Sequence, residues 1–241
     1  MSLAGKNILI TGAARRIGRS LALAVAGQGA TVILHHGSSP SEAEQTRADI
    51  HAAGGNAHIL QADLSDLGHI PDLIDQAHAF GPLYALVNNA AIFESLSLAA
   101  TSLDDWQRHL AINLTAPFLL SQAFSAPHIS EEGGRIINLL DWRALRPGSD
   151  HFPYTISKAG LAALTRSLAV ALAPRISVNG LALGAILPPS SGGDTEGILD
   201  PVPAGRWAEL DEVCQALLFF LAGPAYITGE ILHIDGGRHL I

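Results

Sequence analysis

The apolar run Asn7-Ile8-Leu9-Ile10 breaks into the turn Thr11-Gly12-Ala13-Ala14-Arg15-Arg16-Ile17-Gly18, which opens into a helical pattern through Leu21, Ala22, Ala24 and Val25. A short buried strand feeding a glycine-bearing turn and a helix is the first half of a βαβ unit. Such a turn presents backbone N–H groups and the positive end of a helix, which suits a pyrophosphate. Further short runs at about 31–35, 56–60, 84–88, 134–140, 176–181 and 231–234 alternate with helical stretches. The alternation implies a doubly wound α/β fold with a mainly parallel seven-stranded sheet covered on both faces. Its ligand is expected outside the carboxyl ends of the strands, where the glycine turn, Asn89 and Asp141 all fall.

At 241 residues and 48% hydrophobic content, the chain is long enough to bury a large core and fits one domain spanning 1–241. A formal charge of −8 argues against nucleic acid or an anionic membrane as partner. No apolar run reaches the roughly 18 residues of a membrane span, and the first strand begins almost at Met1, so the cytoplasm is the expected location. Cys214 is the only cysteine and lies in an apolar run, as a buried packing residue would. The eleven histidines form no H-E-x-x-H or Cys/His cluster, so no metal is expected. No G-x-S-x-G elbow offers an esterase nucleophile. The one long irregular stretch, from Gly184 to Gly205, follows the sixth strand and is expected to be a substrate lid.

Chemistry concentrates in the second half. Asp141 ends the fifth strand, and Tyr154 and Lys158 stand one turn apart on a helix that continues through Leu161, Leu164, Leu168 and Leu172. A tyrosine hydroxyl, with a reference pKa of about 10, exchanges protons poorly near neutrality, and an ammonium beside it is expected to lower that value. The same helix carries Ala159, Gly160, Ala162, Ala163, Leu168 and Val170, small or apolar on several faces, which predicts a partner helix in a homo-oligomer. After the second strand, where NAD-selective sites place an acid, stands Leu34-His35-His36-Gly37-Ser38-Ser39, with no acid before Glu42. Arg15, Arg16, Ser38 and Ser39 can instead meet a 2′-phosphate, so NADP(H) is the expected cofactor.

Over nearly its whole length the chain resembles the short-chain dehydrogenase/reductase family, which adopts a Rossmann sheet. The resemblance rests on the glycine turn, on Val87-Asn88-Asn89-Ala90-Ala91, on Asn113 in Ile112-Asn113-Leu114, on the Tyr154/Lys158 pair, and on Ile227-Thr228-Gly229-Glu230 with Asp235-Gly236-Gly237. It implies a catalytic set of Asn113, Asp141, Tyr154 and Lys158, with Tyr154 donating the proton and Asn113 holding a relay water. It also implies a dinucleotide site drawn from Gly12, Arg15, Arg16, Ile17, Gly18, His36, Ser38, Ser39, Asp63, Asn89 and Ala90, with Tyr154 and Lys158.

Two departures sharpen the resemblance. Arg16 occupies the middle glycine of the family's T-G-x(3)-G-x-G, and Asp141 stands where most members carry a serine. In both respects, and in Phe93, the chain resembles the pteridine reductases, which implies substrate contacts from Arg16, Phe93, Asp141 and Tyr154. An ionised carboxylate cannot donate a hydrogen bond to a ketone oxygen, so Asp141 points toward ring nitrogens and reduction of a C=N bond. Two alternatives stay open: a carbonyl reductase of the same family, and a dinucleotide-sensing protein without turnover. Gly37, and Leu183-Gly184 in place of Pro-Gly, depart from the pteridine reductase pattern.

Overall fold

The computed structural model describes residues 2–125, 133–188 and 197–241. Seven strands, β1 (Asn7–Ile10), β2 (Thr31–His36), β3 (Asn56–Gln61), β4 (Leu83–Asn88), β5 (Gly134–Asp141), β6 (Ile176–Leu183) and β7 (Ile231–Ile234), form one sheet. The order is β3-β2-β1-β4-β5-β6-β7 and every pairing is parallel. The chain winds outward from β1 to β3, returns to place β4 on the other side of β1, and continues to β7. The strand order reverses between β1 and β4, which opens a crevice at their carboxyl ends.

Strands buried on both faces need apolar residues at both parities, and these have them. Ile8 and Ile10 enter one core with Val32, Leu34, Val87, Ile137 and Leu181, covered by α1 (Arg16–Gly27) and α7 (Leu210–Ala222). The intervening Leu9 enters the other core with Ile33, Leu86, Ile136 and Val178. That face is covered by α3 (Ile70–His78), α5 (Ala116–Phe124) and α6 (Phe152–Leu172). Two further helices, α2 (Pro40–Ala52) and α4 (Leu103–Leu110), complete the layers. Capping boxes start α4 at Ser102/Asp105 and α7 at Glu209/Glu212, satisfying N–H groups that a helix leaves open.

The expected strands are all present, within a few residues at their ends. Cys214 is buried in the first core, and burial pushes its thiol up to about 11, as a packing residue requires. The expected lid is described in part: residues 189–196 lie outside the described residues. Its later portion packs against the sheet, with Val202 buried and Ala204 N–H donating to the Gly236 carbonyl at 3.0 Å. The small residues of α6 divide unevenly. Ala162 is buried within the chain, and a Cβ added at half-buried Gly160 would meet the Leu114 side chain. Ala163 and Val170 are exposed.

Candidate active site

The glycine turn is held by its neighbours rather than by its own composition alone. A Cβ on Gly18 would run into the Gly12 carbonyl, and one on Gly12, whose φ is +63°, would lie 3.0 Å from the Ala90 Cα. Asn89 Nδ2 donates to the carbonyls of Thr11 and Gly12 at 2.8 and 3.1 Å, while Thr11 Oγ1 accepts from the N–H groups of Asn89 and Ala90. These bonds fasten the end of β1 to the end of β4. Arg16 adopts φ +52°, the left-handed conformation that glycine occupies freely and that costs another residue about 1 kcal/mol. Its Nη2 donates to the Pro188 carbonyl at 2.7 Å. Arg16 therefore spans from the glycine turn to the segment after β6.

His35 was not among the expected site residues, yet it braces this turn. Its Nδ1 accepts from Gly12 N–H at 3.2 Å, which leaves the proton on Nε2 to be donated to the Ala62 carbonyl at 3.0 Å. Burial depresses its pKa to about 4, so the ring is neutral at physiological pH. A polar residue at an interior position of an otherwise apolar strand was the available signal.

The residues around the turn fit a dinucleotide phosphate. The first turn of α1 carries no acid and its N-terminus has no side-chain cap, which leaves helix-end N–H groups for an anion. At the end of β2, His36 is buried with Nδ1 unpartnered, Ser38 is exposed and Ser39 half-buried. Arg15 is exposed beside Arg16, and Ile17 is half-buried behind them. Asp63 follows β3, and its Oδ1 accepts from Ser65 N–H and Oγ, which holds the carboxyl below its usual range.

Across the switch point, the reacting groups meet. Tyr154, in the first turn of α6, donates from its hydroxyl to Asp141 Oδ2 at 3.1 Å. Asp141 Oδ1 accepts from Arg143 N–H at 2.9 Å, and Arg143 Nη1 lies 3.7 Å from the same oxygen. Burial raises the Asp141 pKa, opposed by Arg143, the Tyr154 hydroxyl and Lys158. Lys158 Nζ donates to the Leu139 carbonyl at 2.6 Å and lies 5.8 Å from the centre of the Tyr154 ring. Burial brings its pKa down to about 8, with Asp141 opposing.

The expectation that Lys158 lowers the Tyr154 pKa is corrected by this geometry. The Tyr154 hydroxyl is pushed well above its ordinary value, first by burial and then by the Asp141 carboxylate that accepts its hydrogen bond. Spacing along a helix shows that a lysine is one turn away; it cannot show that a carboxylate is nearer. A phenol held protonated in this way is a proton donor rather than a phenolate base.

Asn113 sits in a single π-helical turn, Ala111–Thr115, between α4 and α5. Its carboxamide is engaged at both ends: Oδ1 accepts from Ile92 N–H at 2.9 Å, and Nδ2 donates to the Ile92 carbonyl and to Ser157 Oγ. The side chain thus ties the loop after β4 to α6. That loop carries Phe93, half exposed, stacked on His151 at 3.9 Å and edge-on to Tyr154 at 4.7 Å. Asp141, Tyr154, Lys158 and Phe93 come together, whereas Arg16 makes its contact with the Pro188 carbonyl instead. Sequence reasoning missed Arg143, which also binds Asp150 through Nη2 at 2.7 Å and lies over the Phe93 and Trp142 rings. A basic residue two positions past the key aspartate was the only local hint.

A cavity of about 300 Å³ lies elsewhere, between β7 and α7, lined by Ala185, Arg206, Glu212, His233 and Asp235 among others. None of Asp141, Tyr154 and Lys158 lines it, so the chemistry is assigned to the cleft and not to this cavity. Among the described residues, no group of His, Cys, Asp and Glu could hold a metal ion, and no helix is long and apolar enough to cross a membrane.

Residues 12–239 match the family described as Enoyl-(Acyl carrier protein) reductase. Over 241 residues the chain is 34% identical to a 3-oxoacyl-[acyl-carrier-protein] reductase of Synechocystis, covering 98% of each chain. FolM alternative dihydrofolate reductase 1 from Brucella canis, complexed with NADP, superposes with a TM-score of 0.92 at 36% identity, covering 99% of this chain and 96% of that one. A short chain dehydrogenase from Burkholderia cenocepacia, also in complex with NADP, does so at 0.92 and 35% identity, covering 99% of each. Fold and site together define an NAD(P)-dependent oxidoreductase. The chain belongs to the short-chain dehydrogenase/reductase family. The NADP-bound neighbours agree with the cofactor expected from the sequence.

Proposed function

We propose that the protein is an NADPH-dependent reductase of a flat, pterin-like heterocycle, acting across a C=N bond. The observation that carries this reading is the half-buried carboxylate of Asp141 at the position beside Tyr154, where a ketone reductase needs a neutral hydroxyl donor. The bound dinucleotide supplies the hydride. Tyr154 Oη supplies the proton to the ring nitrogen, and Asp141 orients that nitrogen or shares its proton. Lys158, fixed on the Leu139 carbonyl, offers a positive charge behind the phenol and a hand-hold for the ribose. Phe93 gives the ring a surface to stack on. His36, Ser38, Ser39, Arg15 and Arg16 would favour the 2′-phosphate over a bare ribose, and Asp63 would complete the dinucleotide site. Residues 184–205 act as the lid, with the Arg16 to Pro188 bond as one point of attachment.

Support comes also from the FolM neighbours, which are described as alternative dihydrofolate reductases. The matched 3-oxoacyl-[acyl-carrier-protein] reductases favour a second reading, reduction of a 3-oxoacyl carbonyl with Asp141 as a tolerated variation. NADPH oxidation against dihydropterins, quinonoid compounds, 3-oxoacyl thioesters and simple ketones separates the two. Turnover confined to the carbonyl compounds rejects the heterocycle reading; turnover of none favours a sensing role. The enzyme is further proposed to work in the cytoplasm as a dimer or tetramer joined through the outer face of α6, where Ile156, Ala163 and Val170 are exposed. Light scattering that finds only monomer rejects the assembly.

A further inference from the structure

We propose that the turn after β5 and the turn after β7 form a subsite for an anionic group, a carboxylate or a phosphate, carried by the substrate on its non-reacting end. The proposal rests on the reading of the Asp141 and Tyr154 cleft as the reacting centre.

Both turns are single 3-10 turns, Trp142–Ala144 and Arg238–Leu240, at the ends of strands separated only by β6. Trp142 is the platform between them. The Arg238 guanidinium lies 4.2 Å from the centre of one of its rings, and the Arg143 guanidinium 4.8 Å from a Trp142 ring centre. Arg146 joins the group by donating from Nη1 to the Arg238 carbonyl at 3.2 Å.

The three arginines differ in what balances them. Arg143 is matched by Asp150 at 2.7 Å and by Asp141 at 3.7 Å. Among the described residues, neither Arg146 nor Arg238 has a carboxylate within ion-pair distance. Arg238 donates from Nη1 to the Ile198 carbonyl, and its buried Nε has no partner at all. Burial, and then the charge of Arg143, lowers its affinity for its own proton, with the more distant carboxylates of Asp141, Asp150 and Asp235 opposing. A chain with 14 basic against 22 acidic side chains has no general surplus of cations, so three arginines gathered on the turns after β5 and β7 are a local arrangement.

An anion relieves both costs. It offsets the repulsion between the Arg143 and Arg238 guanidiniums that share Trp142, and it gives a planar donor fork the acceptor geometry that such forks match bidentately. A guanidinium stacked on an indole keeps its edge free for that contact. The cluster is continuous with the reacting centre through Arg143, which touches Asp141, so the anion belongs on the same molecule as the reacting ring, separated from it by a linker.

Calorimetric titration of the full-length protein with NADPH present tests this with two probes. N-benzoylglutamate offers carboxylates next to an aromatic ring; pantetheine 4′-phosphate offers a phosphate on a flexible arm. One of them is expected to bind, and which one does identifies the source of the anion. Arg238→Met and Arg146→Met should each weaken it by about tenfold or more, the range for a charge-assisted hydrogen bond, and Arg238→Lys should recover part of the loss. Thermal melts of the same variants exclude unfolding as the cause. No binding of either probe, or equal binding by wild type and both methionine variants, overturns the subsite. Turnover of a neutral dihydropterin is measured alongside. A wild type that binds a probe but reduces no heterocycle keeps the subsite and loses the proposed reaction; the reverse result removes the subsite alone.

Discussion

The two ends of the crevice are built differently. Around Gly12 and Gly18 the chain uses backbone: carbonyls and N–H groups paired through Thr11, His35 and Asn89, with no space for an added methyl at Gly18. Around Asp141 it uses titratable side chains, Arg143, Asp150, Tyr154 and Lys158, each shifted by burial or by its neighbours. A dinucleotide presents the same phosphates to every member of the family, and a fixed backbone suits it. A substrate is chosen by a few side chains whose proton positions are adjustable, so the second end decides the chemistry.

The sharpest break in this contrast comes from Tyr154→Phe. If the substrate end serves the reaction and the glycine end serves affinity, kcat should fall by about 10²- to 10⁴-fold while NADPH binding, followed by fluorescence titration, changes only a few fold. Retention of a tenth of the wild-type kcat removes Tyr154 from the role of proton donor.

Asp141→Ser comes next. Heterocycle reduction should drop by tens to hundreds of fold, a loss of roughly 2–4 kcal/mol in the transition state, while reduction of small ketones is spared or improved. Steady-state kcat/KM for one substrate of each kind reads both directions. Two unchanged activities make the aspartate structural.

The glycine end has its own handle in His35. The folded chain takes up this proton only near pH 4, and the unfolded chain does so near 6.5. Between those values the unfolded state binds more protons, so His35 withdraws stability as pH falls through the window. Urea unfolding at pH 7 and 4.5 should show wild type losing about 2 kcal/mol more than His35→Gln. Equal losses would mean that the imidazole titrates alike in both states.

The smallest effect is expected at His36→Asp, which should narrow a preference for NADPH over NADH of roughly tenfold, about 1.4 kcal/mol. Equal dissociation constants for the two cofactors in the wild type contradict the 2′-phosphate assignment.

The same contrast explains what could be read from the sequence. Parallel strands buried on both faces are written as uninterrupted apolar runs, so all seven were found, and the glycine turn declared itself by spacing. Asp141, Tyr154 and Lys158 were legible for the same reason: their separations are fixed by one strand end and one helix. Arg143 and His35 were not. Their partners, Asp150 and Gly12, are chosen by the way loops fold back, and no periodicity encodes that. The direction of the Tyr154 shift was misread because burial and a hydrogen bond outweigh a charge one helical turn away.

Asp141, Leu183 and Ile234 stand in register across β5, β6 and β7, so the three strands end flush. One three-residue turn, beginning at Trp142, follows β5 at once, and another, beginning at Arg238, follows β7 after Asp235, Gly236 and Gly237. Neither turn contains a residue of the glycine end, which lies on β1 and β4. With the subsite proposed above, selection can rewrite these six positions, and with them the range of molecules accepted, while the nucleotide-handling half passes unchanged from one descendant to the next. A sheet with an even edge makes this lineage easy to diversify.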